Sequence, residues 1–144
     1  MNKDSYNLER FKDAQKNSYE TALQEIQSGR KRSHWMWYIF PQLKGLGHSS
    51  TAQYYGISGM DEAKAYLADP LLGKRLREIS EALLTVKHKT AAEIFGYPDV
   101  LKLCSCMTLF AEADGEDSVF QKVLETYYQG EKDRVTLDIL KRQS

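Results

Sequence analysis

A chain of 144 residues is close to the common size of one domain and can bury a core without metal or disulfide staples. Hydrophobic residues at 42% and charged residues at 28% exclude a disordered composition. Twenty basic and twenty acidic residues cancel, which argues against dedicated binding of nucleic acid or of a membrane surface.

Leu8, Phe11 and Ala14 fit one face of a first helix. Asn17 and Glu20 have the spacing of a capping box, which opens a second helix carrying Tyr19, Ala22, Leu23 and Ile26, and Gly29 stops it. Ser33 caps a short helix through Phe40, which Pro41 ends. Pro41 to Ser50 holds two glycines and no apolar period, so it reads as a loop. Ser50 caps a turn over Thr51 to Tyr55, closed by Gly56, and Ser58 or Gly59 begins the next segment, Asp61 to Ala68. Asp69-Pro70 is an N-cap followed by a first-turn proline. It starts the clearest helix, with Leu72, Leu76, Ile79, Leu83 and Val86 at alternating steps of four and three. Thr90 with Glu93 forms a second capping box, and Gly96 closes that helix. Pro98 opens a helix with Leu101, Cys104, Thr108 and Leu109 as its stripe. Asp117 caps one carrying Phe120, Val123, Leu124 and Tyr127 as far as Gly130, and Asp133 opens the last, with Leu137 and Leu140. Nothing alternates in the β pattern. The expectation is a single all-α domain over residues 1–144, an irregular orthogonal bundle of about eight mostly short helices.

Residues 30–43 carry most of the chemistry: Arg-Lys-Arg-Ser-His-Trp-Met-Trp-Tyr-Ile-Phe-Pro-Gln-Leu. If residues 34–40 are helical, apolar groups point in every direction, the pattern of a helix buried on all sides, and the plain reading is the central core helix; if they are extended, Trp35, Trp37 and Ile39 face one way and His34, Met36, Tyr38 and Phe40 the other. The functional reading starts from Arg30 and Lys31 beside Trp35 and Trp37. Cations next to indole rings suit a nucleotide or another anionic aromatic ligand, by stacking and charge pairing. The same cations also follow a helix C-terminus, where the helix dipole favours positive charge. Gln42 and Gln53 flank a loop whose glycines run into a helix N-terminus, so its N–H groups could cradle phosphate. That loop is neither a Walker A sequence nor Gly-x-Gly-x-x-Gly, and a plain connection explains it as well. His34 and His48 are the candidate proton carriers.

Other polar residues point less clearly. Asp99, Lys102, Ser105 and Thr108 share one face of their helix and look towards a pocket or towards solvent. Cys104 and Cys106 point about 200° apart on a helix, which disfavours a disulfide or a shared metal and favours small buried side chains over a redox pair. Three histidines without Cys-x-x-Cys or His-x-x-x-His spacing give no metal site, and no cofactor is expected. The amino terminus lacks an apolar h-region and no window reaches the ~18 apolar residues of a membrane span, so the expected location is the cytoplasm.

Several stretches together resemble one family. They are Arg-Phe-Lys-Asp-Ala-Gln at 10–15, Gly-Arg-Lys-Arg-Ser-His-Trp-Met-Trp-Tyr-Ile-Phe-Pro-Gln-Leu at 29–43, and Gly-Leu-Gly-His-Ser-Ser at 45–50. Tyr-Tyr-Gly-Ile at 54–57, Asp-Pro-Leu-Leu-Gly-Lys-Arg-Leu at 69–76 and Asp-Val-Leu-Lys-Leu-Cys-Ser-Cys-Met-Thr-Leu-Phe at 99–110 join them. The chain resembles, over nearly its whole length, the domain-of-unknown-function 1810 family, small bacterial proteins sometimes mislabelled calpastatin. The resemblance implies an all-α fold without an established activity. A calpastatin is a disordered, repeat-built inhibitor, unlike this repeat-free composition. The family pattern often has two serines before Met-Thr-Leu-Phe, where this chain has Ser105-Cys106.

Two functions follow as expectations. The first is a protein that binds, and could process, a small anionic metabolite such as a nucleotide or ADP-ribose-like compound, at a pocket of Arg30, Lys31, Trp35, Trp37, Gln42 and Gln53. The second is a non-catalytic interaction or structural module with the aromatic segment as core.

Overall fold

Short capped segments rather than long rods make up this chain. A computed structural model describes residues 6–144. Among them run ten helices: α1 (Glu9–Gln15), α2 (Tyr19–Gln27), α3 (Met36–Ile39), α4 (Ser50–Tyr55), α5 (Met60–Ala68), α6 (Leu72–Thr85), α7 (Ala91–Phe95), α8 (Asp99–Asp114), α9 (Val119–Tyr128) and α10 (Arg134–Gln143). The fold is all-α, with ten helices among the described residues rather than about eight, because the turn over Thr51 to Tyr55 and the segment Asp61 to Ala68 are helices as well, α4 and α5. The one β feature among the described residues is a parallel bridge between Leu43 and Ile57, which ties the loop before α4 to the residues after it.

Side-chain caps set the start of four helices, α4, α7, α9 and α10. Thr90 and Glu93 form the expected capping box on α7, and the Asp133 carboxylate receives the Thr136 N–H at the start of α10. Elsewhere the capping residue lies one position away from its expected place. Ser49 rather than Ser50 caps α4, and Ser118 rather than Asp117 caps α9. Asn17 and Glu20 form no box, because Ser18 stands at the N-cap of α2, where its hydroxyl meets the Tyr38 hydroxyl at 3.2 Å rather than capping the helix. Ser33 does not cap α3: Trp35 holds that position, and the Ser33 hydroxyl is spent on Glu25. Helix α6 begins at Leu72, with Asp69 Oδ1 still accepting from the N–H groups of Leu71 and Leu72.

The helix buried on nearly all sides is α8, not the segment after Ser33. Every residue from Ser105 to Ala111 is buried, and α5, α7, α9 and α10 all pack against this helix. Helix α6 is amphipathic, burying Leu72, Leu76, Ile79 and Leu83 against α2, α5 and α9. Gly73 is what allows its first turn to sit on α5, since a Cβ there would collide with the Leu67 carbonyl. Trp35, Met36, Ile39 and Phe40 enter the same core cluster from one edge.

Two buried polar side chains of α1 hold the amino-terminal edge in place. Arg10, 8% exposed, uses all five of its N–H donors. Nε donates to the Tyr54 carbonyl at 2.8 Å, Nη1 to those of Tyr6 (2.6 Å) and Asn7 (2.9 Å), and Nη2 to Gly56 (3.0 Å) and to Glu62 Oε2 (2.9 Å). Gln15 donates to the Tyr38 carbonyl (2.8 Å) and the buried Tyr66 hydroxyl (3.1 Å), and accepts from Arg75 (3.3 Å). A buried charge without such partners would be strongly destabilising, so these contacts are a condition of the fold.

Candidate functional site

The cation–aromatic segment divides into a closed half and an open half. In the closed half, Glu25 near the end of α2 gathers four donors. Its Oε1 accepts from the Arg32 N–H (2.8 Å), the Ser33 N–H (3.0 Å) and the Trp35 indole (2.9 Å), and its Oε2 from the Ser33 hydroxyl (2.6 Å). Partial burial pushes its pKa upward, but the donors from Ser33, Arg32 and Trp35 together outweigh burial and hold the carboxyl down at about 2. Trp35, 1% exposed, therefore has its polar edge satisfied and its rings in the core beside Phe40 and Phe95.

Lys31 belongs to the same closed half. Its side chain is 7% exposed; the ammonium pairs with Asp99 Oδ2 at 2.9 Å, donates to the Ser33 carbonyl at 2.5 Å and lies 4.9 Å above the Trp35 ring. Its backbone N–H donates to the Ile94 carbonyl at 2.7 Å. All of this chemistry is turned inward. Arg30 and Arg32 stay exposed and, with Lys31, edge only a shallow notch.

The open half begins at Trp37, which is half-buried. Lys102, reaching over from α8, places its ammonium 5.0 Å from the Trp37 ring centroid. Its carboxylate neighbour is Asp99, one turn back, at 3.8 Å, and Asp99 is already held by Lys31. Between them lies a narrow cleft of about 10 Å³, room for about one water, with Trp37, Phe40, Gln42, Tyr55 and Lys102 in its walls. Burial pushes the Tyr55 phenol upward, and the neighbouring Tyr54 and Tyr38 add to it, so Tyr55 presents a neutral O–H at pH 7. The cleft offers one cation, a flat ring face, one primary amide and an apolar floor.

The residues expected from sequence thus separate. Trp37 and Gln42 line this cleft, whereas Trp35 and Lys31 lie in the closed half beside it. Gln53 donates to the His48 carbonyl at 3.0 Å, closing the loop ahead of α4. His34 and His48 are exposed, neither lines the cleft, and among the described residues no hydrogen bond joins their rings to each other or to a carboxylate. Four backbone N–H groups of the glycine loop and the start of α4 are already engaged. The N–H groups of Lys44 and Leu46 donate to the Ile57 and Leu43 carbonyls, and those of Ala52 and Gln53 go to Ser49.

The other polar cluster is a joint. Ser105 donates to Asp133 Oδ2 at 3.2 Å, Thr136 donates to the same oxygen at 2.6 Å, and the Asp133 N–H donates to Thr108 at 2.8 Å, so these residues dock α10 on α8. Both cysteines are free thiols; burial, with Asp133 adding to it, pushes Cys104 up to about 11, and burial alone pushes Cys106 well above the ordinary thiol range. Neither is a poised nucleophile. Among the described residues no three His, Cys, Asp or Glu side chains gather to hold a metal ion, and no helix is long and apolar enough to cross a membrane.

Lys102, Tyr55 and Glu25 carry roles that the sequence reading did not give them. For Lys102 a signal existed, since it lies on the polar face shared with Asp99; its meeting with Trp37 is a tertiary fact. For Glu25 the only cue was its place near a helix end ahead of several donors.

Comparison with known proteins adds a family without an activity. The model of a family described as "Protein of unknown function (DUF1810)" matches residues 5–140. Among solved structures, the chain is similar to the conserved hypothetical protein Rv1873 from Mycobacterium tuberculosis. The two are 48% identical with a TM-score of 0.94, over 96% of this chain and 99% of that one. No curated protein matches.

Proposed function

The chain belongs to the DUF1810 family, whose description assigns no activity, and from that premise we propose that it binds a small anionic ligand in the cleft between Trp37 and Lys102. The observation that carries this is the state of Lys102. A cation–π contact at a partly exposed site is worth about 0.5–1 kcal/mol. A long ion pair near solvent adds at most about 1 kcal/mol. Lys102 is therefore held loosely, beside a ring and an amide, where an incoming anion competes easily with Asp99. The class expected from sequence, nucleotides and ADP-ribose-like metabolites, combines negative charge with a flat ring and suits such a site in kind. Neither His34 nor His48 lines the cleft, so the proposal is one of binding, and no catalytic step is assigned to it.

A thermal-shift screen against nucleotides and phosphorylated or carboxylated metabolites tests this. A true ligand at 100 times its dissociation constant stabilises by about 2.7 kcal/mol. Lys102→Met should abolish the shift, and Arg30→Ala should leave it. The reverse pattern would move the site to the exposed basic notch and sink the cleft reading.

The alternative, a non-catalytic interaction module, draws on Tyr97, 80% exposed just before α8, and on the exposed Leu101 one turn later. It predicts a silent ligand screen and a sedimentation profile that changes when Tyr97 and Leu101 become serine.

A further inference from the structure

We infer that Arg30 and Arg32 form a second site, which grips the phosphate of a small phosphate monoester between two guanidinium groups. This site stands apart from the cleft, and either can fail without the other.

The segment after α2 sorts its cations by direction. Residues 30–32 lie outside any helix, and successive side chains turn opposite ways. Lys31 goes inward to Asp99, while Arg30 and Arg32 on either side of it stay exposed. Two steps of non-helical chain span at most ~7 Å. The two guanidiniums therefore stand side by side along one shallow notch. The backbone that carries them is already fixed. The Arg30 N–H donates to the Glu25 carbonyl at 3.0 Å, the Lys31 N–H to the Ile94 carbonyl at 2.7 Å, and those of Arg32 and Ser33 to Glu25 Oε1. Binding here orders side chains only, which lowers its entropic cost.

The carboxylates that would neutralise the pair are occupied. Glu25 takes its four donors from backbone, hydroxyl and indole groups, and Asp99 takes Lys31 and Lys102. Among the described residues, neither the Arg30 nor the Arg32 guanidinium has a hydrogen bond or an ion pair. Lys89 adds a third positive charge close by, its ammonium 3.0 Å from the Gly29 carbonyl, a neutral partner.

The geometry of the pair selects the ligand. A guanidinium presents parallel N–H groups that match two oxygens of one anion. A carboxylate fills one such fork. A phosphate monoester, with three terminal oxygens and a charge of about −2, fills both. A phosphodiester brings one charge and two free oxygens. A nucleic-acid strand also calls for a run of cations along its length, and this chain has no net charge to gather one. Residues 30–32 alone line the notch among the described residues, so recognition ends at the phosphate and a small ester suffices.

Arginine Nε–H signals in ¹H–¹⁵N spectra of the full chain supply the readout, assigned with Arg30→Gln and Arg32→Gln. Glycerol 3-phosphate should move the Arg30 and Arg32 signals saturably and leave the exposed Arg134 and Arg142 signals in place. Dimethyl phosphate at matched ionic strength should bind about tenfold more weakly, the scale of one charge-assisted hydrogen bond. Either Gln variant, checked for a native spectrum, should weaken glycerol 3-phosphate about tenfold. Arg32→Lys, which keeps the charge and loses the fork, should not restore it. Equal shifts at Arg134 and Arg142 would reduce the effect to general anion screening and overturn the site. Equal binding of monoester and diester overturns the ligand class. Tighter binding of a phosphoserine peptide or of oligothymidylate than of glycerol 3-phosphate overturns the small-ester assignment. A phosphate that moves the Trp37 indole and neither arginine overturns the notch and leaves the cleft. A thermal-shift screen in which no ligand depends on Lys102 sinks the cleft and leaves this site untouched.

Discussion

Lys31 over Trp35 and Lys102 over Trp37 are the same two residue types at almost the same separation, 4.9 and 5.0 Å, and Asp99 touches both lysines. One pair is architecture and the other is a candidate site. The difference lies in what each group has left to offer. Lys31 has spent its ammonium on Asp99, on the Ser33 carbonyl and on a buried ring whose N–H is itself spent on Glu25. Lys102, with 28% of its side chain exposed, has a distant carboxylate and an open ring face. A cation beside an indole is therefore not a binding motif in itself. Completeness of its hydrogen bonds and its access to solvent decide which it is.

The comparison can be broken by substitution, and the largest effect should come from the ring of the closed pair. Trp35→Ala removes a fully buried indole and should cost about 4 kcal/mol in urea unfolding. Trp37→Ala, at a half-exposed ring, should cost about 1 kcal/mol or less. Equal losses would mean that the two halves are not different in kind. Lys31→Met comes next. Breaking a fully buried pair costs about 3–5 kcal/mol, and with Asp99 partly exposed and Lys102 standing by, the expected loss is about 2 kcal/mol.

Glu25→Gln sharpens the comparison through pH. The Glu25 carboxyl titrates near 2 when folded against its ordinary 4.5. Its depressed pKa contributes stability that is full above about pH 4.5 and fades as pH falls towards 2. The variant should therefore lose about 1–2 kcal/mol at pH 7, after allowing for solvent screening, and the gap from the natural chain should close by about pH 2. A gap independent of pH would show that shape, and not charge, organises the closed half. The smallest effect belongs to Lys102→Met, within about 0.5 kcal/mol of the natural stability. A loss as large as that of Lys31→Met would erase the distinction.

The sequence reveals what is local. Thr90 with Glu93 and the Asp133 cap are read correctly because a cap and its helix lie within four residues. The stripe of Leu72, Leu76, Ile79 and Leu83 likewise belongs to one element. Caps that shift by one position, Ser49 for Ser50 and Ser118 for Asp117, show the limit: adjacent residues have similar propensities, and the chain direction entering the helix chooses between them. The cation–aromatic stretch was recognisable as the chemical centre, but not as two halves. What divides it is Asp99, 68 positions beyond Lys31, together with the Ile94 carbonyl, and no local pattern encodes either contact. Gln15 had a readable cue, sitting seven residues after Leu8 on the apolar face of α1 and so pointing a polar side chain into the core. Arg10 had none, since charge on a surface helix ordinarily means exposure.

That Arg10 guanidinium bonds at once to carbonyls of residues 6, 7, 54 and 56 and to the Glu62 carboxylate, parts of the chain some 50 residues apart. None of these partners can let go without leaving a charge in the interior, so they should open together or not at all. The Ile57 N–H, which donates to Gln42, and the Ser58 N–H, which donates to Glu62, should then exchange with deuterium at one common opening rate, shared with the N–H of Phe11. A single side chain makes the entrance of the chain and its middle one kinetic unit.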